Sequence, residues 1–150
     1  MARTKDFDEN EVLNKAVCLF WHKGYNGTSM QDLVDNLDIS RSSLYDTYVD
    51  KRTLYLKALA FYQETSASKM DDLLTKTKTA KAAIRQLLEL ITSDLLHDKQ
   101  HKGCFLVNAE VEVAPHDADV KEIVRKSEEQ IEGVFRRAIL QGQKNGEIPV

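Results

Sequence analysis

Apolar residues recur three and four positions apart along nearly the whole chain, the period of helices buried on one face. Val12, Leu13, Ala16, Val17, Phe20 and Trp21 mark a first helix, which Asp8 caps with Glu11 reaching back, and which Gly24 ends. Met30, Leu33, Val34 and Leu37 mark a second, opening at Thr28 or Ser29 with a capping box between Ser29 and Asp32. The turn Asp38-Ile39 follows, with Asp38 at a place suited to positive φ, a conformation that Asp tolerates better than most residues. Ser40 then caps a short third helix, Arg41 to Tyr48. Leu44 and Tyr48 face inward there, leaving Arg41, Ser42, Ser43, Tyr45, Asp46 and Thr47 largely outside. Asp50 caps a longer fourth helix through Leu54, Leu56, Leu59, Phe61 and Tyr62 toward Leu73.

The polar stretch TKTKTAK, residues 75 to 81, separates this helix from a fifth carrying Ala82, Ala83, Ile84, Leu87, Leu88, Ile91, Leu95 and Leu96. A charged loop, HDKQHKG, leads to GCFLVNAEVEVA. Val111-Glu112-Val113 alternates there like a strand, but the helical context favours a helix that Pro115 breaks. After Asp117 a last amphipathic helix runs through Val120, Ile123, Val124, Ile131, Val134, Phe135, Ala138 and Ile139 to Gly142. The pattern predicts an all-α protein. A three-helix N-terminal domain, residues 1–50, is joined by a long helix to a helical C-terminal domain, residues 51–150.

With 150 residues the chain can bury roughly 70% of its unfolded surface in one core. Its 42% hydrophobic and 30% charged content is ordinary for a soluble protein, no run is long and apolar enough for a membrane helix, and MARTKDFDENEV is not a secretory signal. Cys18 and Cys104 lie far apart in apolar helical contexts, which fits a reducing cytoplasm. The net charge of −3 runs against a nucleic-acid binder. Arg3, Lys5, Lys15, Lys23, Arg41, Lys51, Arg52 and Lys57 are matched by at least as many carboxylates nearby. Any role at DNA therefore depends on where the cations lie.

Residues 28 to 51, TSMQDLVDNLDISRSSLYDTYVDK, have the layout of two short helices joined by a tight turn. A helix enters the major groove only if its leading face is slim and polar, and Ser42 and Ser43 supply that slimness. Arg41 offers a planar donor fork suited to guanine O6 and N7, and Tyr45 can donate to a phosphate or cover a thymine methyl. Thr28, Ser29, Ser40, Ser43 and Lys51 place hydroxyls and an ammonium at helix N-termini, where backbone N–H groups already favour an anion.

Residues 9 to 57, with VLNKAVCLFWHKGY, GTSMQDLVDNL and ISRSSLYDTYVDKRTLYLKAL in order, resemble the DNA-binding domain of the tetracycline-repressor (TetR) family. The resemblance implies that Thr28, Ser43, Tyr45 and Lys51 stand at phosphate-contacting positions and Arg41 and Ser42 at groove-facing ones. It also implies a dimer, an operator in double-stranded DNA and a helical domain for a small-molecule inducer; GCFLVNA is similar to the start of a pocket helix in some members. Asp38 stands where many members have glycine, Ser42 where glycine or alanine is common, and Asp46 and Thr47 where aromatic residues or histidine are frequent. Asp46 either accepts from a cytosine N4 or points at water. Family members usually continue for about forty to fifty residues more, two helices that pair with a second subunit. The expectation is thus a truncated form.

Phe61, Tyr62, Leu87, Ile91, Phe105, Asn108, Val111 and Phe135 are the candidate lining of a ligand cavity, with Glu110 or Glu112 as an anionic contact, though each also suits core or solvent. His97, His101 and Cys104 have a spacing that can ligate zinc, with His116 as a fourth ligand, but a polar loop explains them better, and neither a metal nor another cofactor is expected. Cys104 at a helix start is a candidate redox thiol, with an inert cysteine the simpler reading. Serines on an exposed helix far from the histidines give no catalytic constellation. The expected function is a ligand-responsive repressor of transcription; the alternative is a helical sensor that no longer binds DNA as a dimer.

Overall fold

The computed structural model describes residues 7–150, with Asp94 described by its backbone alone. Arg3 and Lys5, counted above among the N-terminal cations, lie outside the described residues. Seven helices form within them: α1 Glu9–Lys23, α2 Met30–Asn36, α3 Arg41–Tyr48, α4 Lys51–Lys76, α5 Ala80–His97, α6 Phe105–Glu112 and α7 Ala118–Lys144.

Side-chain caps set most of the helix starts. The Asp8 carboxylate accepts from the Asn10 and Glu11 N–H groups, and Ser29 and Asp32 form the full reciprocal box at α2. Glu11 does not reach back as expected; its carboxylate pairs with Lys15 one turn on, at 2.8 Å. Ser40, Asp50, Thr79 and Asp117 cap α3, α4, α5 and α7. Asp38 adopts positive φ, 53°, as its place in the turn demands. The segment 105–112 is helical despite its alternating end, because Phe105, Leu106 and Ala109 fall on one buried face. α7 runs past Gly142 to Lys144. Gly142 serves there as a gap in the side-chain surface, since a Cβ would lie 2.7 Å from the Ala80 Cβ and 2.6 Å from the Ile148 side chain.

The main core is continuous from α1 to the first half of α7. Val12, Ala16, Phe20, Leu33, Leu44 and Tyr48 from the N-terminal helices join Leu54, Tyr55, Ala58 and Leu59 of α4 and Phe105, Ala109 and Val120 further on. Phe20 meets Tyr55 edge-on at 4.9 Å, and Phe105 meets Tyr62 edge-on at 5.5 Å; such pairs add about 0.5–1.5 kcal/mol each to burial. A smaller cluster of Met70, Leu87 and Val134, with Phe135 against it, ties the far end of α4 to α5 and α7. The long α4 thus belongs to both clusters and links the ends of the molecule.

Candidate DNA-binding face and ligand cavity

α2, the turn at 37–40 and α3 form a helix-turn-helix whose outer face is small and polar. Leu33, Leu37, Ile39, Leu44 and Tyr48 hold it to the core. Ser40 Oγ accepts from the Ser43 N–H and lies 2.8 Å from Ser43 Oγ and 3.0 Å from Ser42 Oγ, so three hydroxyls cluster at the start of α3. Arg41, Ser42, Tyr45 and Asp46 are exposed, and Ser43 and Thr47 half-exposed. The Arg41 guanidinium does not swing free. It donates to Gln31 Oε1 on α2, and Gln31 Nε2 in turn donates to Asp35 at 2.7 Å. Sequence reasoning passed over Gln31, because a glutamine on an exposed helix face has no periodic signature.

Two predicted phosphate contacts are placed differently. The Thr28 side chain is only 1% exposed, and its hydroxyl donates to the Gly24 carbonyl at 2.7 Å. This is what a hydroxyl does when the turn before a helix folds it over the chain just passed. The Lys51 ammonium donates to the carbonyls of Tyr25 and Thr28, both at 3.0 Å, and sits 4.3 Å from the Tyr25 ring centroid. Two of its three N–H groups therefore serve carbonyls of the α1–α2 turn, that of Tyr25 also accepting the Thr28 backbone N–H at 3.3 Å. Ser29 stays exposed as the cap of α2. Other cations are paired too: Lys15 with Glu11 and Asp38, Lys23 with Asp32, and Arg52 with Asp117 and Asp119. Lys23 and the Ser29 cap hold the Asp32 carboxyl far below the usual carboxylate range.

An apolar cavity of about 170 Å³ lies where α1, α4, α5, α7 and the start of α6 meet. Trp21, Tyr62, Ile91, Leu106 and Ile131 form its walls, with Ser66, Lys69, Cys104 and Ser127 adding polar atoms. Of the predicted lining only Tyr62 and Ile91 reach it. Leu87 and Phe105 are fully buried as core, and Phe61 and Phe135 pack on the flanks of the two clusters. Asn108 donates to the Lys102 carbonyl at 2.7 Å, securing the loop before α6. Val111 is 74% exposed because the face with Leu106 and Ala109 turns it outward. Glu110 is exposed, whereas Glu112 binds the α1–α2 turn. The missed walls, Trp21 and Ser127 among them, come from helices whose pairing no single-helix pattern reveals. A larger groove of about 710 Å³ beside the α4–α5 connection mixes Leu73 and Ala82 with Asp72, Lys76 and Lys78, and is less apolar than this cavity.

Cys104 is half-buried and Cys18 exposed, the latter departing from the apolar setting expected, since it falls on the side of α1 away from Phe20 and Val17. Among the described residues no group of three or more His, Cys, Asp or Glu side chains gathers as metal ligands, and no helix is long and apolar enough to cross a membrane.

Residues 12–58 match the family of bacterial regulatory proteins of the tetR type, and residues 80–150 match the tetracyclin repressor-like C-terminal domain. A transcriptional regulator of Bacillus subtilis, YezE, is 35% identical over 148 residues, 99% of this chain and 76% of that protein. The chain belongs to the TetR family. The transcriptional repressor ComR of Escherichia coli is 28% identical over 98% of the chain and 70% of its own length. The E. coli protein NemR, in its reduced form, superposes with a TM-score of 0.81 at 16% identity, covering 90% of this chain and 70% of that one, and shares the fold. A cysteine mutant of the TetR regulator CifR, solved with 26-base-pair operator DNA, superposes with a TM-score of 0.77 at 25% identity, covering 99% of this chain and 78% of that one. This TetR protein is accordingly a DNA-binding regulator of transcription and not an enzyme, with the all-helical architecture that its sequence predicts.

Proposed function

We propose that this TetR protein is a cytoplasmic repressor that binds a pseudo-palindromic operator as a homodimer and leaves it when a compact, largely apolar molecule fills the cavity between α1, α4, α5 and α7. The observation that carries the reading is the place of Trp21: it stands on α1 of the DNA-binding half, and its ring is also a cavity wall. Whatever enters the cavity therefore touches a helix against which α2 packs. Residues 1–50 supply the DNA-binding function and 51–150 the regulatory one, α4 being shared packing between them.

At the DNA, Arg41 reads a base edge, held at a fixed angle by Gln31, while Ser42 lets α3 approach the groove floor. Ser29, Ser40, Ser43, Tyr45 and Thr47 meet phosphates or sugars, and Lys51 has one N–H group left for the same purpose. In a dimer the two α3 helices must stand about 34–36 Å apart to enter successive major grooves, and a ligand acts by favouring a spacing that does not match.

Selecting bound sequences from a random DNA pool tests this directly, and should return an inverted repeat. Arg41→Ala should then relax the preference at one position per half-site, at a cost of roughly 1–3 kcal/mol. Equal losses on selected and random DNA would defeat the assignment.

A further inference from the structure

α6 is a rod of eight residues, about 12 Å long, and both of its ends are bonded to the DNA-binding half. At its start, the Gly103 carbonyl accepts the Trp21 indole N–H at 3.0 Å, and Gly103, Cys104 and Leu106 wall the cavity. At its end, one carboxylate takes two backbone donors: Glu112 Oε2 accepts from the Tyr25 N–H at 3.0 Å and Oε1 from the Asn26 N–H at 2.8 Å. These are the first two N–H groups after α1 closes at Gly24, and charge-assisted pairs of this kind are both stronger and more directional than neutral ones.

The turn is shaped for that carboxylate. Gly24 has φ 77°, and a Cβ there would stand 3.1 and 3.2 Å from the two Glu112 oxygens. The Thr28 hydroxyl and the Lys51 ammonium close the same turn from its other side. Ser29, the cap that starts α2, follows directly. Glu112 thus acts on the few residues that fix where the helix-turn-helix begins. The two ends of α6 are held differently: the cavity end by burial of Phe105 and Leu106 and by neutral hydrogen bonds from Trp21 to Gly103 and from Asn108 to Lys102, the turn end by two charge-assisted bonds to Glu112.

The geometry points to Glu112 as a positioning residue that holds the α1–α2 turn in its DNA-binding arrangement and, through α6, passes displacement at the cavity to that turn. This rests on the reading that filling the cavity releases DNA. A molecule pressing on Leu106 and Cys104 displaces the cavity end of the rod. The carboxylate then withdraws from Tyr25 and Asn26, and α2 and α3 lose their fixed seat. Glu112 touches no DNA itself; it acts on backbone that precedes α2.

The test uses the whole chain and DNA selected from the random pool. Ser127, on α7, is 7% exposed and lines the cavity, so Ser127→Leu places apolar atoms where a ligand would sit. In the parent chain Ser127→Leu should weaken binding to the selected DNA about tenfold, a coupling of ordinary allosteric size. Glu112→Ala should weaken it by a similar factor with faster amide exchange at Tyr25 and Asn26, and Glu112→Gln, whose one carbonyl oxygen can keep a single N–H bond, should fall between. In the Glu112→Ala background Ser127→Leu should add less than about twofold, since the link is already broken. A full tenfold added loss in that background overturns the link and leaves the cavity reading standing. No effect of Ser127→Leu in the parent overturns the cavity reading instead, and with it the transmitting role of α6. Unchanged DNA affinity in both Glu112→Ala and Glu112→Gln overturns the positioning role outright, and a melting temperature within a degree or two of the parent in the Gln variant shows that a loss of binding is not a loss of fold.

Discussion

Lys51 lies beside the DNA-binding helices with its ammonium turned onto protein backbone, bonded to the carbonyls of Tyr25 and Thr28. A lysine serving phosphate alone would leave the free protein's stability untouched when removed. Here Lys51→Ala should destabilise the DNA-free protein by about 1.5–3 kcal/mol, the range for hydrogen bonds to a charged group, a fall of several degrees in melting temperature. An unchanged melt would return Lys51 to a purely phosphate-facing role. Residue identity marked the right neighbourhood for Thr28 and Lys51 but not the direction of their bonds, because the carbonyls they satisfy belong to a turn whose path is set by Gly24. The serine cluster of α3 was legible for the opposite reason: Ser40, Ser42 and Ser43 bond within one helical turn, and local spacing suffices to place them.

At the scale of elements, helix faces and caps could be read directly, as Ser29 with Asp32 and the buried face of α6 illustrate. What could not be read is which faces meet. The cavity takes Trp21 from α1 and Ser127 from α7, more than a hundred positions apart, and a hydrophobic stripe gives no address for its partner. The end of α3 holds another feature that its sequence hides. Val49 closes the helix at φ 64° and ψ −56°, exposed, in a rare γ-turn whose Asp50 N–H donates to the Tyr48 carbonyl at 2.6 Å. A β-branched residue is strained there. Val49→Gly should therefore stabilise the protein by about 0.5–1 kcal/mol, the relief of the Cβ penalty outweighing glycine's greater freedom in the unfolded chain. A lower melting temperature in thermal unfolding would refute it.

Across the whole molecule, five carboxylates that cap or pair share one bias. Lys23 lowers Asp32, the Thr53 N–H lowers Asp50, the Lys102 N–H lowers Asp98, Arg52 lowers Asp117 and Arg125 lowers Glu122. Each is more acidic folded than unfolded, so each stabilises above the ordinary carboxylate range and loses that contribution as pH falls through its folded value. On the alkaline side burial pushes the Tyr48 hydroxyl up to about 12. The unfolded chain therefore ionises first, from about pH 10, and stability declines from there upward. Melting temperature should be nearly level between about pH 5 and 9 and fall on both sides, steeply below about pH 4; a melt that rises on acidification would contradict these pairings. The same pairings shape how the protein meets a chromosome. Among the described residues Lys15, Lys23, Arg52 and Lys57 answer carboxylates of their own chain, which leaves these four less charge to displace ions from arbitrary duplex. Affinity for random duplex should accordingly fall only shallowly as salt is raised, a slope that titration of random DNA at several salt concentrations measures.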